Sequence, residues 1–135
     1  MNAVITFLIL PLIVLLGACA TASIPLGTPP GADSVAAAHN AEGIEHYTMA
    51  HWGIAKTHFA SAAQVSPQMA EAHYNLALAL DQLGDHAEAA AHFKKAAELA
   101  PNNTAITQSD VYLYHVNLLR NSSGTGIPRP ITGGY

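Results

Sequence analysis

The chain has 135 residues, half of them apolar and only 10% charged, with a net charge of −4. Its fixed cations are Lys56, Lys94, Lys95, Arg120 and Arg129, too few and too scattered to neutralise a phosphate backbone, which excludes nucleic acid as the expected partner. The single cysteine, Cys19, excludes an intrachain disulfide, and the large alanine share predicts helices that approach closely around a thin core.

Residues Ala3 to Leu16, AVITFLILPLIVLL, form an uncharged apolar run of signal-peptide length, shorter than the roughly 20 residues a membrane-spanning helix needs. The run leads into Leu16-Gly17-Ala18-Cys19, which resembles a bacterial lipobox. That resemblance implies a signal peptide over residues 1–18, acylation of the Cys19 sulfur, and a lipid anchor in the bacterial cell envelope. It also implies, through Ala20, sorting to the outer membrane with the protein facing the periplasm. Met1-Asn2 carries no Lys or Arg, so the terminal amine is the only positive charge ahead of the run. The alternative is an uncleaved span from Ala3 to about Ala22, kinked at Pro11, with Cys19 a small buried thiol. From the cysteine through residue 32 the chain is rich in Pro, Gly, Ser and Thr without helical period, and it reads as a flexible tether.

The region 33–120 carries the helical signals. Asp33 or Ser34 caps a first helix that runs to about Met49, and a tight turn at Ala50-His51 leads to a second helix from Trp52 to about Val65. Ser66-Pro67 ends that unit. In the stretch from Ala70 to Pro101, Leu76, Leu80 and Leu83 recur at helical spacing, and Ala89, Phe93, Ala96 and Ala97 share a face of the next helix. Between them Gly84 supplies a left-handed helix end, and Asp85 with Glu88 reads as a capping box. Asn103 then caps a fifth helix, Thr104 to Leu119, whose Ile106, Tyr112, Leu113, Val116 and Leu119 form one apolar stripe. Residues 121–135, NSSGTGIPRPITGGY, cannot form a packed core and read as a flexible tail.

Shifting the chain by 34 residues places His39 on His73, Ala55 on Ala89, His58-Phe59 on His92-Phe93, Ala62-Ala63 on Ala96-Ala97 and Pro67 on Pro101. On these residues the chain resembles the tetratricopeptide repeat family, whose helix-turn-helix unit has that period. The match extends through Leu76-Ala77, Leu80 and Gly84 in the second unit, and through Gly43, Ala50 and Trp52 in the first. Glu42 and His46 depart from it, standing where the second unit has Leu76 and Leu80. The resemblance implies an all-α fold, an α-solenoid of two repeats with the fifth helix as cap. Two repeats are fewer than the three usually needed for stability, so truncation at Ser109 is expected to unfold the domain.

Residues spaced i, i+4, i+7 and i+8 on the first helix of each unit should line the concave side: Asn40, Ile44, Tyr47 and Thr48, then Tyr74, Leu78, Asp81 and Gln82. In the family this chain resembles, such positions hold a protein or peptide partner. The competing expectation is that Ile44 and Leu78 pack against the fifth helix or each other. Eight histidines raise the question of a metal or haem. No two of them lie three or four apart. Equivalent histidines of neighbouring repeats should sit about 10 Å apart or more, and no Cys-x-x-Cys-His run is present. The sequence therefore predicts no metal site and no cofactor, with Glu42–His46 and Glu88–His92 as surface pairs. Protonating the histidines near pH 6 would still add up to eight positive charges, which makes partner binding or assembly pH-sensitive. No nucleophile sits beside a base and no glycine loop follows a strand, so the expectation is not an enzyme but a lipid-anchored docking module. The alternatives are a homo-oligomer assembling through incomplete solenoid ends and a metal-responsive accessory protein.

Overall fold

The computed structural model describes residues 23–122, and among them every regular element is a helix. Helices α1 (Ser34–Thr48) and α2 (Trp52–Val65) form one hairpin, α3 (Ala70–Gln82) and α4 (His86–Leu99) a second, and α5 (Thr104–Thr107) and α6 (Asp110–Ser122) follow. α2 packs on α3, stacking the hairpins, and α6 packs on α4. None of these helices is long and apolar enough to cross a membrane. The apolar run at Ala3–Leu16, Cys19 and the tail beyond Ser122 lie outside the described residues, so the signal-peptide and tail expectations are not addressed there.

The local chemistry explains where these helices start and stop. Asp33 caps α1, its Oδ1 accepting from the amides of Val35 at 2.8 Å and Ala36 at 3.1 Å. Both hairpin turns end their first helix by the same two bonds. His51 N–H donates to His46 C=O at 2.9 Å and Ala50 N–H to Tyr47 C=O at 3.0 Å. Asp85 N–H donates to Leu80 C=O and Gly84 N–H to Asp81 C=O, each at 3.0 Å. This pairing needs a left-handed residue after the helix. Gly84 supplies it at φ 83°, whereas Ala50 holds the equivalent position at φ 59° against the clash of its own Cβ.

Two expectations are corrected. The Asp85–Glu88 capping box does not form: Asp85 sits at φ −82° and ψ 56°, outside the extended region from which a side chain folds over the first turn. Its carboxylate lies 3.9 Å from Lys56 Nζ instead, across the two hairpins. The single fifth helix is also broken, after Thr107. Ser109 Oγ donates to Ile106 C=O at 2.9 Å and accepts from Tyr112 N–H at 3.4 Å, so this side chain ends one helix and starts the next. The break buries Ile106, leaves Leu113 exposed, and gives His115 rather than Leu113 a place on the inward face.

α3 is the centre of the body, buried from Ala72 through Leu80 because α2, α4 and the N-terminal segment all pack on it. α1 stands at the end of the stack and has one neighbour fewer. Hence Glu42 is exposed and His46 half-buried, where the equivalent Leu76 and Leu80 are core. Within the first hairpin the helices approach closely enough that a Cβ added at Gly43 would meet the buried Phe59 ring at 2.5 Å. The ring is edged by Tyr47, which in turn meets Trp52 in a T-shaped contact with centroids 4.7 Å apart. In the second unit Tyr74 meets Phe93 edge-on at 5.5 Å.

Two substitutions read out these constraints with opposite signs. Gly43→Ala should lower stability by about 1–2 kcal/mol, because overpacking against Phe59 outweighs the helix propensity gained. Ala50→Gly should raise the melting temperature by a few degrees, releasing about 1 kcal/mol of left-handed strain. Thermal unfolding followed by far-ultraviolet circular dichroism checks both, and a neutral or reversed order would contradict the packing described.

Candidate functional site

The eight residues expected to line an open groove do not line one. Asn40, Tyr47, Tyr74 and Leu78 are buried, Ile44 and Asp81 are half-buried, and only Thr48 and Gln82 are exposed. The inner face is occupied by the chain itself, from two sides.

From one side comes the segment expected to be a free tether. Its described part, residues 23–32, lies against the helices with Leu26 packed on the core. Asn75, wholly buried in α3, grips the Leu26 backbone with both ends of its amide: Leu26 N–H donates to Oδ1 at 2.6 Å and Nδ2 donates to Leu26 C=O at 2.7 Å. Asn40 of α1, also buried, donates to Leu26 C=O at 3.1 Å and to Thr28 Oγ1 at 3.2 Å, while its own Oδ1 accepts from Asn75 at 2.8 Å. Three Pro and two Gly keep residues 25–31 out of a helix, so their main chain has unpaired groups to offer, and the asparagines satisfy those of Leu26. The clamp reads backbone, not side chain.

From the other side come α5 and α6. Ser109 meets the Tyr74 hydroxyl, and burial raises that hydroxyl's pKa although the Ser109 bond opposes the rise. Burial likewise pushes Tyr47 up to about 12, with Asp81 and Tyr74 adding to the effect and a bond from Gln82 opposing it. His115 of α6, fully buried, stands 3.0 Å from Asp81.

The histidines also assemble differently from the expectation. Spacing within one helix and distance between repeats keep them apart, but the facing helices of each hairpin bring them together. His39 and His58 have centroids 6.0 Å apart, His46 stacks on His58 at 5.4 Å, and His73 stacks on the repeat-equivalent of His58, His92, also at 5.4 Å. Glu42 pairs with His58 at 2.9 Å and lies 3.6 Å from His39, so the expected Glu42–His46 pair is replaced by a contact across the hairpin. His92 turns to His73 rather than lying out beside Glu88. His73 Nε2 must donate to Pro67 C=O, 3.0 Å away, because a carbonyl only accepts. Its Nδ1 then accepts from His92 Nδ1–H at 3.2 Å while both rings are neutral. Burial and the adjacent His73 hold His92 below the usual histidine range, Glu88 opposing them.

Asn75, Leu26, His86 and His115 are the contributors the sequence reading missed. A lone asparagine inside an otherwise apolar helix, and a histidine on the α6 stripe between Tyr112 and Val116, were the available signals.

Residues 40–104 match a family model described as tetratricopeptide repeat. No curated protein and no solved structure matches the chain.

The His73–His92 pair has a defined pH signature. With the folded His92 below its unfolded value near 6.5, the unfolded chain binds more protons in that window, so stability falls as pH drops below about 6.5. His92→Gln should therefore lose less melting temperature than the parent between about pH 7 and pH 5. Parallel thermal scans at several pH values check this, and superimposable pH profiles would exclude the pair as a source of acid sensitivity.

Proposed function

We propose that this chain, a tetratricopeptide-repeat protein over residues 40–104, is a protein-interaction module whose recognition surface is the inner face now held by its own residues 23–29. Repeats of this family generally mediate protein–protein contacts. The observation that carries the reading is the Asn75 amide, which holds both backbone groups of Leu26 and none of its side chain. A clamp on main chain accepts any extended strand that reaches it, so a segment of another protein can take the same place. Thr48 and Gln82, with the half-buried Ile44 and Asp81, extend that surface beyond the tether and are where a partner would gain its own contacts. The segment at the clamp is tied to the chain, so its effective concentration is high, and a partner must outcompete it.

The reading includes an anchor. The apolar run ending in Leu16-Gly17-Ala18-Cys19 supports acylation at Cys19 and attachment to the bacterial envelope, with Ala20 favouring the outer membrane and its periplasmic side. One acyl chain contributes about 0.8 kcal/mol per buried methylene. Only three residues separate Cys19 from the first described residue, Ser23. The anchored end would therefore lead directly into the strand held by Asn75, and the clamp would hold the helical body close to the bilayer. A partner that displaces the strand lengthens the tether. Membrane attachment and partner binding are coupled in this way through one segment.

Photo-crosslinking in the native cells tests both parts. With a photoreactive residue at position 48, we expect adducts with another protein, more of them when Leu26→Pro removes the amide that Asn75 accepts, and fewer when Asn75→Ala removes the clamp. Equal adducts from all three, or from a probe at the outward Lys94, would sink the interaction surface. Palmitate labelling that persists in Cys19→Ser would sink the anchor.

A further inference from the structure

Six of the eight histidines pair within or beside the hairpins in ways that repeat or nearly repeat. His86 and His115 do not, and with Asp81 they make a cluster with no counterpart in the first unit. The positions equivalent to Asp81 and His86 are Tyr47 and Trp52, which fill the same space with two packed rings. In the second unit that apolar contact is replaced by a carboxylate at the end of α3, an imidazole in the first turn of α4, and a buried imidazole delivered by α6.

We propose that Asp81, His86 and His115 form a binding site for a divalent transition-metal ion, zinc being the best match to two imidazoles and one carboxylate. The three donor atoms all lie within 4.8 Å of one another. Asp81 Oδ1 is 2.9 Å from His86 Nδ1 and 3.0 Å from His115 Nε2. Around a tetrahedral ion with bonds of about 2.1 Å, donors sit about 3.4 Å apart, so the cluster needs to open by a few tenths of an ångström. His86 can provide that movement, since its side chain is 58% exposed.

His115 carries the case. Its Nδ1 is 2.8 Å from Val111 C=O and must donate to it, which in the neutral ring leaves Nε2 as a lone pair. That nitrogen is buried and has no well-formed hydrogen bond, although Asp81 Oδ1 stands 3.0 Å from it. A lone pair facing a carboxylate in a buried site is repulsive unless a proton or a metal cation stands between them. The arrangement of one ring N–H fixed by a backbone carbonyl and the other nitrogen turned to an acidic neighbour is how proteins orient a metal-bound histidine. Without the ion, a proton takes that place: burial opposes an imidazolium at His115, but the Asp81 carboxylate and the Val111 carbonyl outweigh it and hold the ring above the usual histidine range, so the metal must displace that proton.

The ion would tie α3, α4 and α6 together, holding the capping helix on the second hairpin where the two-repeat stack is short of neighbours. One coordination position would face solvent beside the exposed His86 ring. The second His/Glu group, His39, Glu42 and His58, is more open and serves as the control.

The test uses the full chain in detergent, in a Cys19→Ser background so that the thiol offers no ligand. Zinc binding is followed by calorimetry and melting temperature, and cobalt binding by its visible absorption. We expect saturable binding, a zinc-dependent rise in melting temperature, and affinity weakened at least about tenfold in both Asp81→Asn and His86→Ala, with His58→Ala unchanged. His86 is exposed, so its replacement leaves a folded protein on which the loss can be read. Absence of binding by the parent, equal affinity in His86→Ala, or loss in His58→Ala instead would overturn the assignment. A cobalt spectrum of octahedral rather than tetrahedral form would overturn the zinc-like geometry.

Discussion

The closeness of the helices in the first hairpin governs the rest of the molecule. With Gly43 offering no Cβ, the Phe59 ring lies directly on the α1 backbone, and the small residues Ala55, Ala62 and Ala63 let the facing surfaces of α1, α2 and α3 approach with little area lost to voids. Alanine buries little surface per residue, so a body of this kind is held by backbone proximity and a few large rings. Phe59, Phe93, Tyr47, Tyr74, Leu78, Leu80 and Ile106 are the large apolar side chains buried in it. α3 contacts α1, α2 and α4, which is why it has no exposed residue between Ala72 and Leu80.

That economy leaves an inner face too narrow to stay empty and too polar to be sealed by apolar packing. Asn40 and Asn75 are wholly buried, and a buried amide without partners is costly. The chain answers with its own backbone: a Pro- and Gly-broken segment has free N–H and C=O groups, and the two amides need them. The same complementarity makes the surface suited to an extended strand from elsewhere, since the amide bonds read main chain while the Leu26 side chain adds apolar packing on the core. In the reading proposed above, occupancy by the tether would thus compete with recognition of another strand.

The histidines express a second consequence of close helices. Placed at one position on α1 or α3 and at another on α2 or α4, they fall opposite each other in each hairpin and make ring contacts that neither helix shows alone. Where the repeat pattern is kept they meet ring to ring, His39 with His58 and His73 with His92. Where it is broken, at Asp81 and His86, a third helix brings in His115 and a carboxylate flanked by two imidazoles takes the place of packed rings. The departure from the repeat is thus the informative part.

The sequence by itself determined the elements, because each depends on neighbours within a few residues. Helical spacing, Asp33 as a cap, Gly84 as a left-handed helix end, the turn at Ala50-His51 and Asn103 as a cap all act locally, and the structure has four of the five expected helices with nearly the expected bounds. The fifth was misread because Ser109 competes for the backbone inside a stripe that looks continuous. Only the tertiary structure decided what covers what. The groove residues Asn40, Tyr47, Tyr74 and Leu78 have helical spacing that fits an open face as well as a filled one, and the difference lies in a tether 49 residues away from Asn75 and a helix delivered from beyond α5. The histidine clusters were hidden for the same reason: spacing along one helix says nothing of a partner on the facing helix, and contacts across a hairpin join residues 19 apart, as in His73 and His92.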